Sequence, residues 1–116
     1  MTIKDLKPKE IWQQFDEICK IPRPSKKEEK MIKFLVDFAK KHNLEYEVDE
    51  TGNVIIRKEA SKGLENKPSV ALQSHIDMVC EKNSDKVHDF TKDPIKPIVD
   101  GDWVRADGTT LGADDG

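Results

Sequence analysis

The chain has 116 residues, 20 of them Lys or Arg and 23 Asp or Glu, for a formal net charge of −3. That length supports one domain with a core of its own and not two. The mixed, mildly acidic balance excludes a nucleic-acid footprint, which needs a clustered basic excess, and no apolar run approaches the roughly 20 residues of a membrane span.

Residues 7–20 carry Ile11, Trp12, Phe15, Ile18 and Cys19 on one stripe, the pattern of an amphipathic helix with Pro8 in its first turn. The prolines of Ile21-Pro22-Arg23-Pro24 end that helix, because each disfavours helical dihedrals in the residue before it. Ser25 with Glu28 three residues on matches a capping box, which predicts a second helix from about residue 26 to 41. Its stripe is Met31, Ile32, Leu35, Val36, Phe38 and Ala39, and Lys26-Lys27-Glu28-Glu29 is its solvated surface. The helix is expected to end near His42-Asn43, where a cationic His42 suits the helix C-terminus.

Residues 45–49 alternate polar and apolar, Thr51-Gly52-Asn53 is a turn, and residues 53–58 read as the returning strand of a hairpin. A polar loop follows at 61–67. Pro68 then opens a strand over residues 69–76, whose Val70-Ala71-Leu72 run is apolar enough for burial on both faces. Residues 81–92 are polar and irregular. A second hairpin is expected to turn at Asp100-Gly101, before the turn-rich 106–111 segment. The elements therefore run α-α-β-β-β-β. The expected fold class is α/β, with helices packed on a mixed sheet.

Two clusters carry chemistry. His75 and Asp77 stand two apart at the end of the apolar strand, so they share a face. Such a pair can bind one metal, or the aspartate can orient a metal-binding imidazole and raise its basicity; a histidine held by a neighbouring acid for purely structural reasons gives the same tripeptide. Some forty residues on, Gly112-Ala113-Asp114-Asp115-Gly116 places paired carboxylates between glycines, as an oxygen-donor loop for a divalent cation does and as a polar turn also does. One histidine and one or two acids cannot complete a two-metal site, since each zinc in a hydrolytic site takes three protein ligands plus water. The other donors are expected from residues outside this sequence. His88, beside Asp89, reads as a surface or hydrogen-bonded histidine, Cys19 as core packing, and Cys80 as a small apolar residue near a strand end. Neither cysteine lies in a C-x-x-C spacing and no signal-peptide pattern opens the chain, so a reducing cytoplasm is the expected compartment. No G-x-S-x-G, Walker loop or H-E-x-x-H motif is present.

Leu72-Gln73-Ser74-His75-Ile76-Asp77-Met78-Val79, Asp102-Trp103-Val104 and the run from Gly108 to Gly116 resemble the amino-terminal part of the aminoacyl-histidine dipeptidases, a branch of the M20 metallopeptidases. Ile21-Pro22-Arg23-Pro24-Ser25 with Glu28-Glu29, and His88-Asp89-Phe90 with Asp93-Pro94-Ile95, resemble that family too. The resemblance implies that residues 1–116 are the first portion of a zinc-exopeptidase-like catalytic domain, truncated, with the rest of that domain and a dimerising lid domain beyond it. It implies His75 as a metal ligand, Asp77 as the catalytic carboxylate that steadies the imidazole, and Asp114 as the acid bridging two divalent metal ions, zinc in the parent enzyme. It also implies a general-base glutamate beyond Gly116, a short peptide as substrate and a homo-oligomer as the working form. Ser74 stands where the family usually has glycine and Asp115 where asparagine is common, so Asp115 competes for the bridging role, although the spacing from His75 favours Asp114. On this reading the parent hydrolyses dipeptides, Xaa-His among them, and the 116-residue piece is inactive alone. Another M20-like amidohydrolase or deacylase, or a non-catalytic α/β binding module, are the alternatives.

Overall fold

The computed structural model describes residues 1–114; Asp115 and Gly116, and with them the competing bridging assignment, lie outside the described residues. Two helices, α1 (Lys9–Cys19) and α2 (Glu29–Lys41), precede four strands, β1 (Glu45–Val48), β2 (Val54–Arg57), β3 (Pro97–Asp100) and β4 (Trp103–Ala106). The chain divides into two compact units, Met1–Met31 with His75 onward, and Ile32–Ser74.

In the first unit, Ile3 in a short 3-10 turn is 1% exposed, and Trp12 of α1 meets Phe15 edge-on with ring centroids 6.2 Å apart. The core is Cys19, Met78, Ile95 and Ala106, with Phe15, Cys80, Phe90 and Leu111 packed around it. Full burial of a side chain such as Ile3 or Met78 contributes roughly 1.5–3 kcal/mol. The Ile95 N–H donates to the Cys19 carbonyl at 2.9 Å, which ties the end of α1 to the chain entering β3. β3 and β4 form an antiparallel hairpin in the register Asp100↔Trp103, turning through Gly101 at φ +58°, the position where a type II′ turn needs a positive φ. The hairpin turn expected at Asp100-Gly101 is the observed one.

In the second unit, α2 ends as its sequence foretells. Asn43 takes a left-handed φ of 53°, and the Leu44 N–H reaches back to the Ala39 carbonyl at 2.8 Å while Asn43 bonds Lys40, which is a Schellman stop. β1 and β2 pair antiparallel from Glu45↔Arg57 to Val48↔Val54. Tyr46, Val54 and Ile56 are half-buried, whereas Glu45, Glu47 and Arg57 form an exposed charged face with an Arg57–Glu47 contact of 2.9 Å. The turn is organised by Asp49, whose Oδ1 accepts the N–H groups of Thr51, Gly52 and Asn53, each at 2.9 Å. The Asn53 side chain, then these amides, outweigh desolvation and hold the Asp49 carboxyl below its ordinary 3.8. A depressed folded-state pKa supplies stability that is present above the unfolded value and lost as pH falls through the folded one. In an NMR pH titration the Thr51, Gly52 and Asn53 amide protons should therefore move together with a midpoint below 3.8. A midpoint at or above the ordinary value would contradict this turn geometry.

Three expectations are corrected. α2 begins at Glu29, not near residue 26. Lys26 adopts φ +71°, Glu28 Oε1 accepts the Lys26 N–H at 2.7 Å, and the Ser25 hydroxyl donates to Asp77 instead of capping the helix. Second, among the described residues 69–76 form no paired strand; Val70 and Leu72 are 84% and 95% exposed. A strand buried on both faces needs a neighbour along each edge, and none of the described strands pairs with this segment. Third, the class is helices with strands as expected, but the described strands make two separate antiparallel pairs, with no mixed sheet.

Candidate metal centre

Arg23-Pro24 runs alongside Met78. Pro24 and Met78 form an isolated parallel bridge, and the Met78 N–H donates to the Arg23 carbonyl at 3.0 Å. This contact fixes the chain just after the His75-Ile76-Asp77 triplet. Beyond it, residues 79–83 and 108–110 lie side by side. Thr110 Oγ1 donates to the Val79 carbonyl at 2.6 Å, the Thr110 N–H donates to the Glu81 carbonyl at 2.9 Å, and the Asn83 N–H donates to the Gly108 carbonyl at 2.8 Å. This pairing carries the acid-bearing loop back to the histidine across 39 residues of sequence.

His75 Nε2 then lies 3.2 Å from Asp114 Oδ2. Its other ring nitrogen, Nδ1, lies 2.9 Å from the Asp77 carbonyl oxygen and 3.1 Å from Asp77 Oδ1. Both Asp77 atoms are acceptors, so Nδ1 carries the proton and donates. That leaves Nε2 aimed at a carboxylate, where a neutral imidazole has only a lone pair to offer. Either a second proton or a cation satisfies that geometry. Desolvation works against the charged ring, but the Asp77 carbonyl, then the Asp114 and Asp77 carboxylates, outweigh it and raise the His75 pKa above its ordinary 6.5. Asp77 is held below the usual carboxylate value, first by the Ser25 hydroxyl; against partial desolvation its own N–H and the His75 ring act in the same sense.

The donor set fits a divalent cation. Two ligands of a tetrahedral zinc at about 2.0–2.2 Å stand roughly 3.4 Å from each other, close to the 3.2 Å between Nε2 and Oδ2. Imidazole and carboxylate are both zinc donors, and the Asp77 contact to Nδ1 is the outer partner that metal-bound histidines ordinarily have. Among the described residues, no group of three or more metal-competent side chains converges.

His75, Asp77 and Asp114, the three residues singled out from the sequence, are thus brought together. His88 is not among them: its ring packs on Phe90 at 4.5 Å and its buried Nε2 has no hydrogen-bond partner among the described residues. His42 packs on Phe38 at 4.4 Å. Burial is the main influence raising the Cys80 thiol pKa, so Cys80 is a weak nucleophile and its place is at the core. A cavity of about 490 Å³ between Leu6, Trp12, Phe15, Trp103 and Leu111 includes Ala113 in its wall, but neither His75 nor Asp114 lines it. Two residues that contact the segments carrying the site are not singled out by the sequence. Ser25 reads as a helix cap, and Arg23 only as part of the proline run that ends α1. The proline pair around Arg23 signalled a rigid segment without saying what it holds.

No family model matches the sequence. The chain is 52% identical over 114 residues to the cytosol non-specific dipeptidase of Escherichia coli (strain K12), an alignment covering 98% of this chain and 24% of that protein. Its structure is similar to the crystal structure of aminoacylhistidine dipeptidase from Vibrio alginolyticus, with a TM-score of 0.96, 54% identity, and coverage of 98% of this chain and 23% of that one. The chain therefore spans about a quarter of the length of these relatives. The resemblance read from the sequence motifs holds along nearly the whole chain.

Proposed function

We propose that this chain supplies the first donors of a two-metal centre to a dipeptidase of M20 type that hydrolyses Xaa-His and other dipeptides. The observation that carries this reading is the 3.2 Å approach of His75 Nε2 to Asp114 Oδ2, with Asp77 on the far ring nitrogen. The two similar proteins are named as dipeptidases, which supports the reaction class. Bound divalent cations, zinc on the present donors, would polarise a peptide carbonyl and lower the pKa of water toward neutrality. In that setting His75 would offer the Nε2 lone pair, Asp77 would hold the Nδ1–H tautomer and the ring orientation, and Asp114 would supply a carboxylate donor. Ser25 keeps the Asp77 carboxylate turned toward the ring. Further ligands and the general base would come from the rest of the whole protein. We place that protein in the cytoplasm as a homo-oligomer. No helix among the described residues is long and apolar enough to cross a membrane.

The test is hydrolysis by the whole protein at the length of its relatives. Xaa-His dipeptides should be cleaved, cleavage should stop on chelation and return with zinc, and the 116-residue chain alone should be inert. Cleavage of N-acyl amino acids in preference to dipeptides would point to a deacylase. Equal turnover with and without chelator would end the metal reading altogether.

A further inference from the structure

Arg23 is the one charged or polar residue in the buried set among the described residues, 1% exposed, and the largest of the fully buried side chains. Placing a guanidinium there is costly unless its donors are used, because an ion loses its hydration on burial. Its planar fork spans two elements. Nη1 donates to the Ile18 carbonyl at the end of α1 at 3.2 Å, and Nη2 donates to the Gly112 carbonyl at 3.0 Å. Gly112 is two residues before Asp114, and a Cβ built on it would stand 2.6 Å from Nη2. The guanidinium and the Gly112 backbone therefore share a space with no room for a side chain. The same short segment reaches the other arm of the site. The Arg23 carbonyl accepts the Met78 N–H, and two residues on, the Ser25 hydroxyl donates to Asp77 Oδ2.

We propose that Arg23 and Ser25 are positioning residues for the metal centre. Arg23 holds the loop that carries Asp114, Ser25 holds the carboxylate that orients His75, and together they set the spacing between Nε2 and Oδ2. Neither touches the His75 or Asp114 donor atoms in the contacts described above. Both act through another group: Arg23 through the Gly112 carbonyl, Ser25 through Asp77. Packing alone explains neither, since an apolar side chain would fill the Arg23 site without the cost of burying charge, and the Ser25 hydroxyl is exposed yet directed at one oxygen of Asp77.

This inference rests on the metal-centre reading above. Its test is zinc affinity of the whole protein, measured by competition with a chromophoric chelator, alongside the thermal midpoint of the metal-free form. Ser25→Ala should weaken zinc binding by about 10-fold, the low end of what losing the histidine's own outer partner costs, because Ser25 acts one contact further out through Asp77, with the metal-free midpoint unchanged. Ser25→Thr, which keeps the hydroxyl, should restore wild-type affinity. Arg23→Lys keeps the charge but cannot span both carbonyls, and should weaken zinc binding by a similar factor. If that variant fails to fold, the Ser25 pair decides the matter alone. Wild-type zinc affinity in Ser25→Ala, or a loss that Thr does not repair, would overturn the positioning role while leaving the metal centre intact. A wild-type protein that binds no zinc would instead sink the reading beneath it, and the positioning role with it.

Discussion

Replacing Gly112 by alanine is expected to destabilise the chain by about 2–5 kcal/mol. Two costs add. At φ +72° the backbone sits in the left-handed region, which costs a non-glycine residue roughly 1–2 kcal/mol. The new Cβ would also stand 2.6 Å from Arg23 Nη2 and 3.1 Å from the Met78 Cβ. Such contacts must be relieved by movement, and overpacking of this kind typically costs 1–3 kcal/mol. The guanidinium has little freedom to move away, because it is buried and bonded at both ends of its fork. The methionine Cβ belongs to a core residue. Relief therefore comes from the loop itself, which carries Asp114 away from His75. Urea unfolding followed through Trp12 and Trp103 would measure the loss, and a change below about 0.5 kcal/mol, the scatter of ordinary surface substitutions, would show that the loop is not clamped as described.

The second large effect concerns activity. In the whole protein, His75→Ala is expected to lower kcat/KM by at least about a hundredfold, since losing an outer partner of a metal-bound histidine alone costs 10–100-fold and His75 is placed as the ligand itself. A hundredfold loss corresponds to about 2.7 kcal/mol of lost transition-state stabilisation. Asp77→Asn is expected to fall within the 10–100-fold range. Asparagine keeps the carbonyl geometry but removes the charge that faces Nδ1 at 3.1 Å. The order of the two effects is the informative part. If Asp77→Asn were the more damaging, Asp77 would be acting on substrate directly and His75 would be the support. Steady-state kinetics on a dipeptide, with zinc in excess, distinguish the cases.

Much of this was readable in the residues, and the reason is local chemistry. Asn43 stopped α2 because a left-handed residue is what a helix end requires. Gly101 turned the second hairpin for a related reason. The His75–Asp77 pair is legible as a histidine and an acid two residues apart, although the strand expected to put them on one face does not form among the described residues, and the ring reaches Asp77 by a local contact instead. What the sequence concealed depends on distant partners. Ser25 and Glu28 spell a capping box, yet the Ser25 hydroxyl finds Asp77 at a separation of 52 residues, and a local motif cannot announce that competitor. Arg23 meets Gly112 across 89 residues, so its burial was invisible among prolines. The 69–76 segment failed for the opposite reason. Its apolar run reads as a strand to be covered on both sides, but pairing is a property of neighbours, and no described strand supplies one.

The most direct measurement is anomalous diffraction at the zinc edge from crystals of the whole protein grown with zinc. The expected result is an ion about 2.0–2.2 Å from both His75 Nε2 and an Asp114 carboxylate oxygen, with Asp77 still bonded to Nδ1. Zinc bound by other residues, while His75 Nε2 continues to meet Asp114 directly, would contradict it.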